Sequence, residues 1–139
     1  MHKSLGEGRK NLRVLVADDN YDILTLFCEL LKLNEFEVVA RAQNGKHAVD
    51  LYLRQKPDVV FLDVVMPDGD GIYALEKIRE TDPDAIVIMV TANLAPTTSE
   101  RLKQLQATAV VYKPFDISEI IKVVRKVIPG GIRPVKFSP

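Results

Sequence analysis

Histidine and cysteine are nearly absent from this chain, and neither sign of charge prevails: it has two histidines, one cysteine, and nineteen basic against nineteen acidic residues. Cys28 therefore has no disulfide partner, and its setting in LTLFCELL reads as a buried thiol in a reducing compartment, not as a metal ligand. With only His2, in a polar end, and His47, a catalytic histidine pair or a histidine-rich metal site is disfavoured. Balanced charge leaves no overall field to gather DNA, RNA or an anionic membrane. No apolar run nears the roughly 20 residues that cross a bilayer. The start, MHKSLGEGRKN, lacks the apolar segment of a signal peptide. The expected location is the cytoplasm, without nucleic acid or membrane as direct partner. The chemistry must fall to carboxylates, hydroxyls and lysines.

What is present suits one globular domain: 139 residues, 47% hydrophobic and 27% charged. Short β-branched runs alternate with stretches of helical spacing. The runs are LRVLVA at 12–17, DVVFL at 58–62, AIVIMV at 85–90 and AVVY at 109–112. In FEVVARA, Phe36, Val38, Ala40 and Ala42 alternate with Glu37, Val39 and Arg41, which predicts a strand nearer an edge. Helices are predicted from Ile23, Phe27, Leu30 and Leu31; from Ala48, Val49, Tyr52 and Leu53; and from Ile72, Leu75 and Ile78. A shorter, polar fourth helix runs from Thr97 to Leu105 with Pro96 in its first turn, and a fifth carries Ile117, Ile120, Ile121, Val124, Val127 and Ile128. Five strand and helix pairs in strict order predict an α/β fold, a doubly wound five-stranded parallel sheet of flavodoxin-like (βα)5 type with strand order 2-1-3-4-5. Residues 1–10 and 129–139 lack periodicity and read as flexible ends or the stub of a linker, flanking a domain at 11–128.

Open α/β sheets bind ligands beyond the carboxyl ends of their strands. There the chain places Asp18 and Asp19 after the first strand, Asp63 after the third, Thr91 after the fourth, and Lys113 with Pro114 after the fifth. Singly, each has a plain role. Asp18, Asp19 and Asn20 could cap a helix, Asp63 could precede the turn at Pro67, Asp68 and Gly69, and Thr91 and Lys113 could be surface residues. Together, three carboxylates would meet at one sheet edge, and like charges about 4 Å apart cost roughly 4 kcal/mol per pair at an effective dielectric near 20. Capping requires no such cost. A magnesium ion offsets it, since one or two carboxylates, a carbonyl and water form its usual shell. It leaves open positions for a phosphoryl group that Lys113 and Thr91 can also contact, with Asp63 as nucleophile.

In VLVADDN, DVVFLDVVMPDGDG, VIMVTA and YKPF, taken in order, the chain resembles a response-regulator receiver domain of two-component signalling, of the single-domain, chemotaxis-regulator-like kind, over about residues 11–128. The resemblance implies that Asp19 binds Mg2+ directly, Asp18 positions it through water, Asp63 is phosphorylated, and the Val65 carbonyl completes the metal shell. It implies that Thr91 is the switch hydroxyl, that Lys113 pairs with the phosphate, and that the bond to Pro114 is cis. The implied activity is regulatory. A sensor histidine kinase or histidine phosphotransfer protein supplies the phosphoryl group, and slow self-dephosphorylation removes it. Phosphorylation is then expected to reshape the loop NLAPTT and the surface of the fourth helix, fifth strand and fifth helix for a downstream target, an output domain on another chain, or a homodimer. Some positions depart from the family pattern: Val110 stands in place of the aromatic three residues before the lysine, and the glycine-alanine before the fifth strand reads Gln106 and Ala107. Val65 and Asn93 occupy positions that tune phosphoryl lifetime in the family. Tyr112 is expected in a core or helix contact, His47 on the surface, and Val123 off the main apolar stripe as a weak hint of a docking contact. Alternatives are a receiver-like interaction domain that is never phosphorylated, and a haloacid-dehalogenase-like phosphatase. The second lacks support because Val65 stands where that family has a second acid, and no glycine-rich phosphate loop favours a nucleotide-binding protein.

Overall fold

The computed structural model describes residues 11–128 apart from 67, 69 and 93. The flanking segments 1–10 and 129–139, Pro67 and Gly69 of the expected turn, and Asn93 lie outside the described residues. Five strands alternate with five helices: β1 (Arg13–Ala17), α1 (Tyr21–Leu33), β2 (Glu37–Ala42), α2 (Gly45–Gln55), β3 (Val59–Asp63), α3 (Gly71–Thr81), β4 (Val87–Thr91), α4 (Pro96–Gln104), β5 (Ala109–Tyr112) and α5 (Ile117–Val127). The strands form one parallel sheet in the order β2-β1-β3-β4-β5.

Strand alternation divides the core into two layers. Val14, Val16, Val59, Phe61, Ile88 and Val90 face α1 and α5, where Leu24, Phe27, Cys28, Leu31, Ile120 and Val124 cover them. Leu15, Val60, Leu62, Val87 and Met89 face α2, α3 and α4, under Ala48, Tyr52, Leu75, Ile78 and Leu102. Burying each large side chain contributes about 1.5–3 kcal/mol, and Phe61 adds an edge-on contact with Phe27 at 5.3 Å. The covered middle of the sheet is thus the rigid platform from which β3 projects its last residue.

Four helices open on a side-chain cap, with Asn20, Asn44, Asp70 and Asp116 each accepting from a backbone N–H in the first turn. Ala95, before α4, makes no such bond, and Pro96 holds the first helical position as the sequence predicts.

Some details differ from the sequence reading. In α1 the core face is Leu24, Phe27, Cys28 and Leu31, while Ile23 is 42% exposed. Apolar residues run around more than half of this helix, so spacing alone does not choose the buried face. Leu53 of α2 is likewise exposed. In β2 the register shifts between Val14 and Leu15, which pair with Val38 and Ala40. This bulge at Val39 sends Phe36 and Val38 to the α1/α5 layer and Ala40 and Ala42 to the other, where unbroken alternation would have kept all four together. Val123 packs against the α1/α5 core instead of standing free. Tyr112, at the end of the outermost strand, is 54% exposed and has no core role.

Candidate functional site

Parallel pairing in this order brings the carboxyl ends of β1 and β3 side by side, with Ala17 opposite Leu62. Asp18 follows β1 directly, and its N–H donates to the Ala42 carbonyl of β2 at 3.0 Å. Its side chain is buried, and Oδ1 accepts the Asn20 N–H at 2.9 Å. Asn20 in turn caps α1, accepting the Ile23 N–H at 3.0 Å. The helix cap is therefore Asn20. That leaves one oxygen of Asp18, and the whole carboxylate of the exposed Asp19, outside the capping bonds.

Asp63, the last residue of β3, completes the group: one carboxylate oxygen from each of Asp18, Asp19 and Asp63 lies within 4.8 Å of the others. Lys113 reaches them from beyond β5, with Nζ 3.0 Å from Asp18 Oδ2 and 3.6 Å from Asp63 Oδ2. Burial pushes the Asp63 carboxyl up to about 6 from 3.8. Lys113 opposes the rise, Asp18 adds to it, the Val64 N–H bond opposes it, and Asp19 adds to it. One ammonium does not balance three carboxylates, so a hard divalent cation suits this donor set.

Thr91 ends β4 fully buried, and its carbonyl accepts the Lys113 N–H at 2.8 Å. The sheet thereby links the hydroxyl-bearing strand to the lysine-bearing turn. The Lys113–Pro114 bond is cis. Val65 lies on the β3–α3 loop, 72% exposed, and His47 is on the surface. Val110 is half-buried and packs against the α2/α3/α4 layer.

Arg79 of α3 had no signal in the sequence, because a basic residue on an amphipathic helix normally faces water. Its guanidinium is partly buried and donates to the carbonyls of Ala85 (2.6 Å), Leu105 (3.2 Å) and Gln106 (2.7 Å) and to Thr108 Oγ1 (3.2 Å). It ties α3 to the end of α4 and the start of β5.

A doubly wound five-stranded sheet with acids, a hydroxyl and a lysine at its carboxyl edge defines a class of small α/β regulatory domains. The chain matches the model of the response regulator receiver domain over residues 14–125 and belongs to that family. It is 34% identical over 116 residues to chemotaxis protein CheY of Bacillus subtilis, covering 84% of this chain and 97% of that one. It is 34% identical over 119 residues to sporulation initiation phosphotransferase F of the same organism, covering 86% and 95%. Among solved structures it is similar to the CheX-CheY-BeF3-Mg+2 complex of Borrelia burgdorferi, with TM-score 0.78 and 29% identity over 84% of this chain and 88% of that one. Membership makes the chain a regulatory domain of two-component signal transduction. Among the described residues, no helix is long and apolar enough to cross a membrane.

Proposed function

We propose that residues 11–128 form a phosphoacceptor domain in which Asp63 receives a phosphoryl group from a phosphohistidine on a sensor histidine kinase or histidine phosphotransfer protein. The observation that carries this reading is the convergence of Asp18, Asp19 and Asp63 under a single bridging lysine. Asp19, Asp18, Asp63 and the Val65 carbonyl would hold Mg2+, Asp18 through water. When bound, the ion supplies neutralisation of phosphoryl charge and of the repelling acids. A carboxylate oxygen of Asp63 forms the new P–O bond as the P–N bond to the donor imidazole breaks, and the imidazole leaves with the electron pair and takes up a proton. Lys113 pairs with a phosphoryl oxygen, releasing Asp18, and the Thr91 hydroxyl donates to another. The Borrelia CheX-CheY complex, which contains BeF3 and Mg+2, supports the same chemistry here.

The outcome is a change of surface, not turnover of an external substrate. The α4, β5 and α5 face then binds a cytoplasmic target, an output domain on another chain, or a second copy. Incubation with a small-molecule phosphodonor, with and without Mg2+, should place an acid-stable, alkali-labile phosphoryl group on Asp63 only when the metal is present. Equal labelling of Asp63→Asn would overturn the proposal and favour a receiver-like interaction domain.

A further inference from the structure

We propose that Gly71 is a positioning residue for the phosphoacceptor pocket: its missing side chain lets the first turn of α3 seat on the backbone of Asp63, and this seat holds together the two metal donors that β3 and its following loop contribute. The inference rests on the magnesium site described under Proposed function. A Cβ at residue 71 would lie 2.0 Å from the Asp63 carbonyl oxygen, 2.9 Å from its carbon and 3.0 Å from Val64 Cα. All three atoms are main chain, so no rotamer change relieves the overlap. The requirement is for space; the backbone of Gly71 is not in the left-handed region.

The same residue closes the loop. The Gly71 N–H donates to the Val64 carbonyl at 2.9 Å, pinning the exit of the β3–α3 loop to its entrance with Val65 between them. Val64 in turn gives its N–H to the Asp63 carboxylate. Through these two bonds to Val64, the seat of Gly71 restrains both the side chain of Asp63 and the position of Val65, whose carbonyl is the second donor. A side chain at 71 must displace either α3 or the Asp63–Val64 segment. Helix α3 is the stiffer of the two, because Asp70 fixes its start through the Tyr73 N–H (3.0 Å), Ala74, Leu75 and Ile78 are buried, and Arg79 anchors its end. The strain falls on the loop, and with it on the donors.

The test compares Gly71→Ala with Ala74→Gly, which weakens the same helix without touching Asp63. Urea unfolding with and without MgCl2 gives the metal dissociation constant from the stability increment, which depends on that constant and not on the baseline stability. Losses of roughly tenfold or more in metal affinity are typical when a ligand's supporting contact is removed. That loss is expected for Gly71→Ala, together with slower labelling by a small-molecule phosphodonor, while Ala74→Gly keeps the wild-type affinity within about twofold. An unchanged affinity in Gly71→Ala, or an equal loss in both variants, would overturn the inference. Should Gly71→Ala fail to fold, amide exchange of the wild-type chain decides. MgCl2 should slow the Gly71 amide more than that of Ala74, and equal slowing of the two overturns the inference. A wild-type chain with no response to MgCl2 would instead remove the proposed function itself.

Discussion

Lys113 Nζ lies 3.0 Å from Asp18 Oδ2, an ion pair that joins the turn after the outermost strand β5 to the end of β1, across the intervening ends of β3 and β4. The pair stands where a phosphoryl group and a cation would compete for the two charges. Asp19 has no such partner among the described hydrogen bonds; its carbonyl accepts from Gln43 Nε2 at 3.2 Å, but its carboxylate adds charge to the cluster.

Neutralising Asp19 should therefore help the metal-free protein. Asp19→Asn removes one repulsion worth on the order of 1 kcal/mol at this exposed position. The metal-free melting temperature is expected to rise while the stabilisation by Mg2+ shrinks. Asn20→Ala is the contrasting change, costing about 1 kcal/mol because it removes the helix cap. A calorimetric series with and without Mg2+ separates the two. Equal destabilisation by both would mean that Asp19 serves α1 and not the cluster.

The raised carboxyl of Asp63 sets a pH dependence. Its folded value of about 6 exceeds the ordinary 3.8, so the folded chain holds the proton more tightly than the unfolded chain does. Stability from this group is full below about pH 4, falls as pH rises through about 6, and is then lower by about 3 kcal/mol in metal-free buffer. Asp63→Asn lacks this titration. Urea unfolding in EDTA should show the variant gaining on wild type between about pH 4 and 6 and holding its lead above. Parallel stability curves would show that Asp63 titrates alike in both states.

The alternation of β-branched runs with helical stretches made the fold legible, and reading the residue after each run located Asp18, Asp63 and Lys113, with Thr91 ending its strand. Helix ends were less legible. Glu35, Lys56 and Gln106 occupy left-handed backbone positions that sequence reading assigns to glycine, at φ 71°, 47° and 58°. The β2 bulge and the Arg79 anchor were invisible for another reason: both depend on contacts between segments distant in sequence, and neither leaves a periodic trace.

Gln106 shows what that choice costs. Its N–H donates to Lys103 and the Ala107 N–H to Leu102, the paired bonds of a Schellman ending, and its carbonyl accepts from Arg79. A left-handed residue with a side chain pays about 1–2 kcal/mol, whereas glycine loses roughly 0.5–1 kcal/mol in chain entropy. Gln106→Gly should stabilise the protein by about 0.5 kcal/mol, seen as a higher urea midpoint. A lower midpoint would mean that the glutamine side chain contributes a contact of its own.

The anchoring of α4 predicts where a phosphorylation signal appears. Its only buried residue is Leu102, near its end, and the adjoining Leu105 and Gln106 carbonyls are held by Arg79. Its start has no side-chain cap, and Thr91, one residue past the β4 position that pairs with Asp63, lies just upstream. A hydrogen bond from the Thr91 hydroxyl to a new phosphoryl oxygen favours one arrangement of the intervening loop, and the loosely held start of the helix can follow it. With Val110 in place of an aromatic, no ring is available at that position to carry the change. Hydrogen exchange over residues 91–112 should therefore change most at 92–99 on phosphorylation and fade towards 102–108, and Thr91→Ala should abolish the change while Asp63 is still labelled. A change centred on 102–108, or one that survives loss of the hydroxyl, would place the moving element elsewhere.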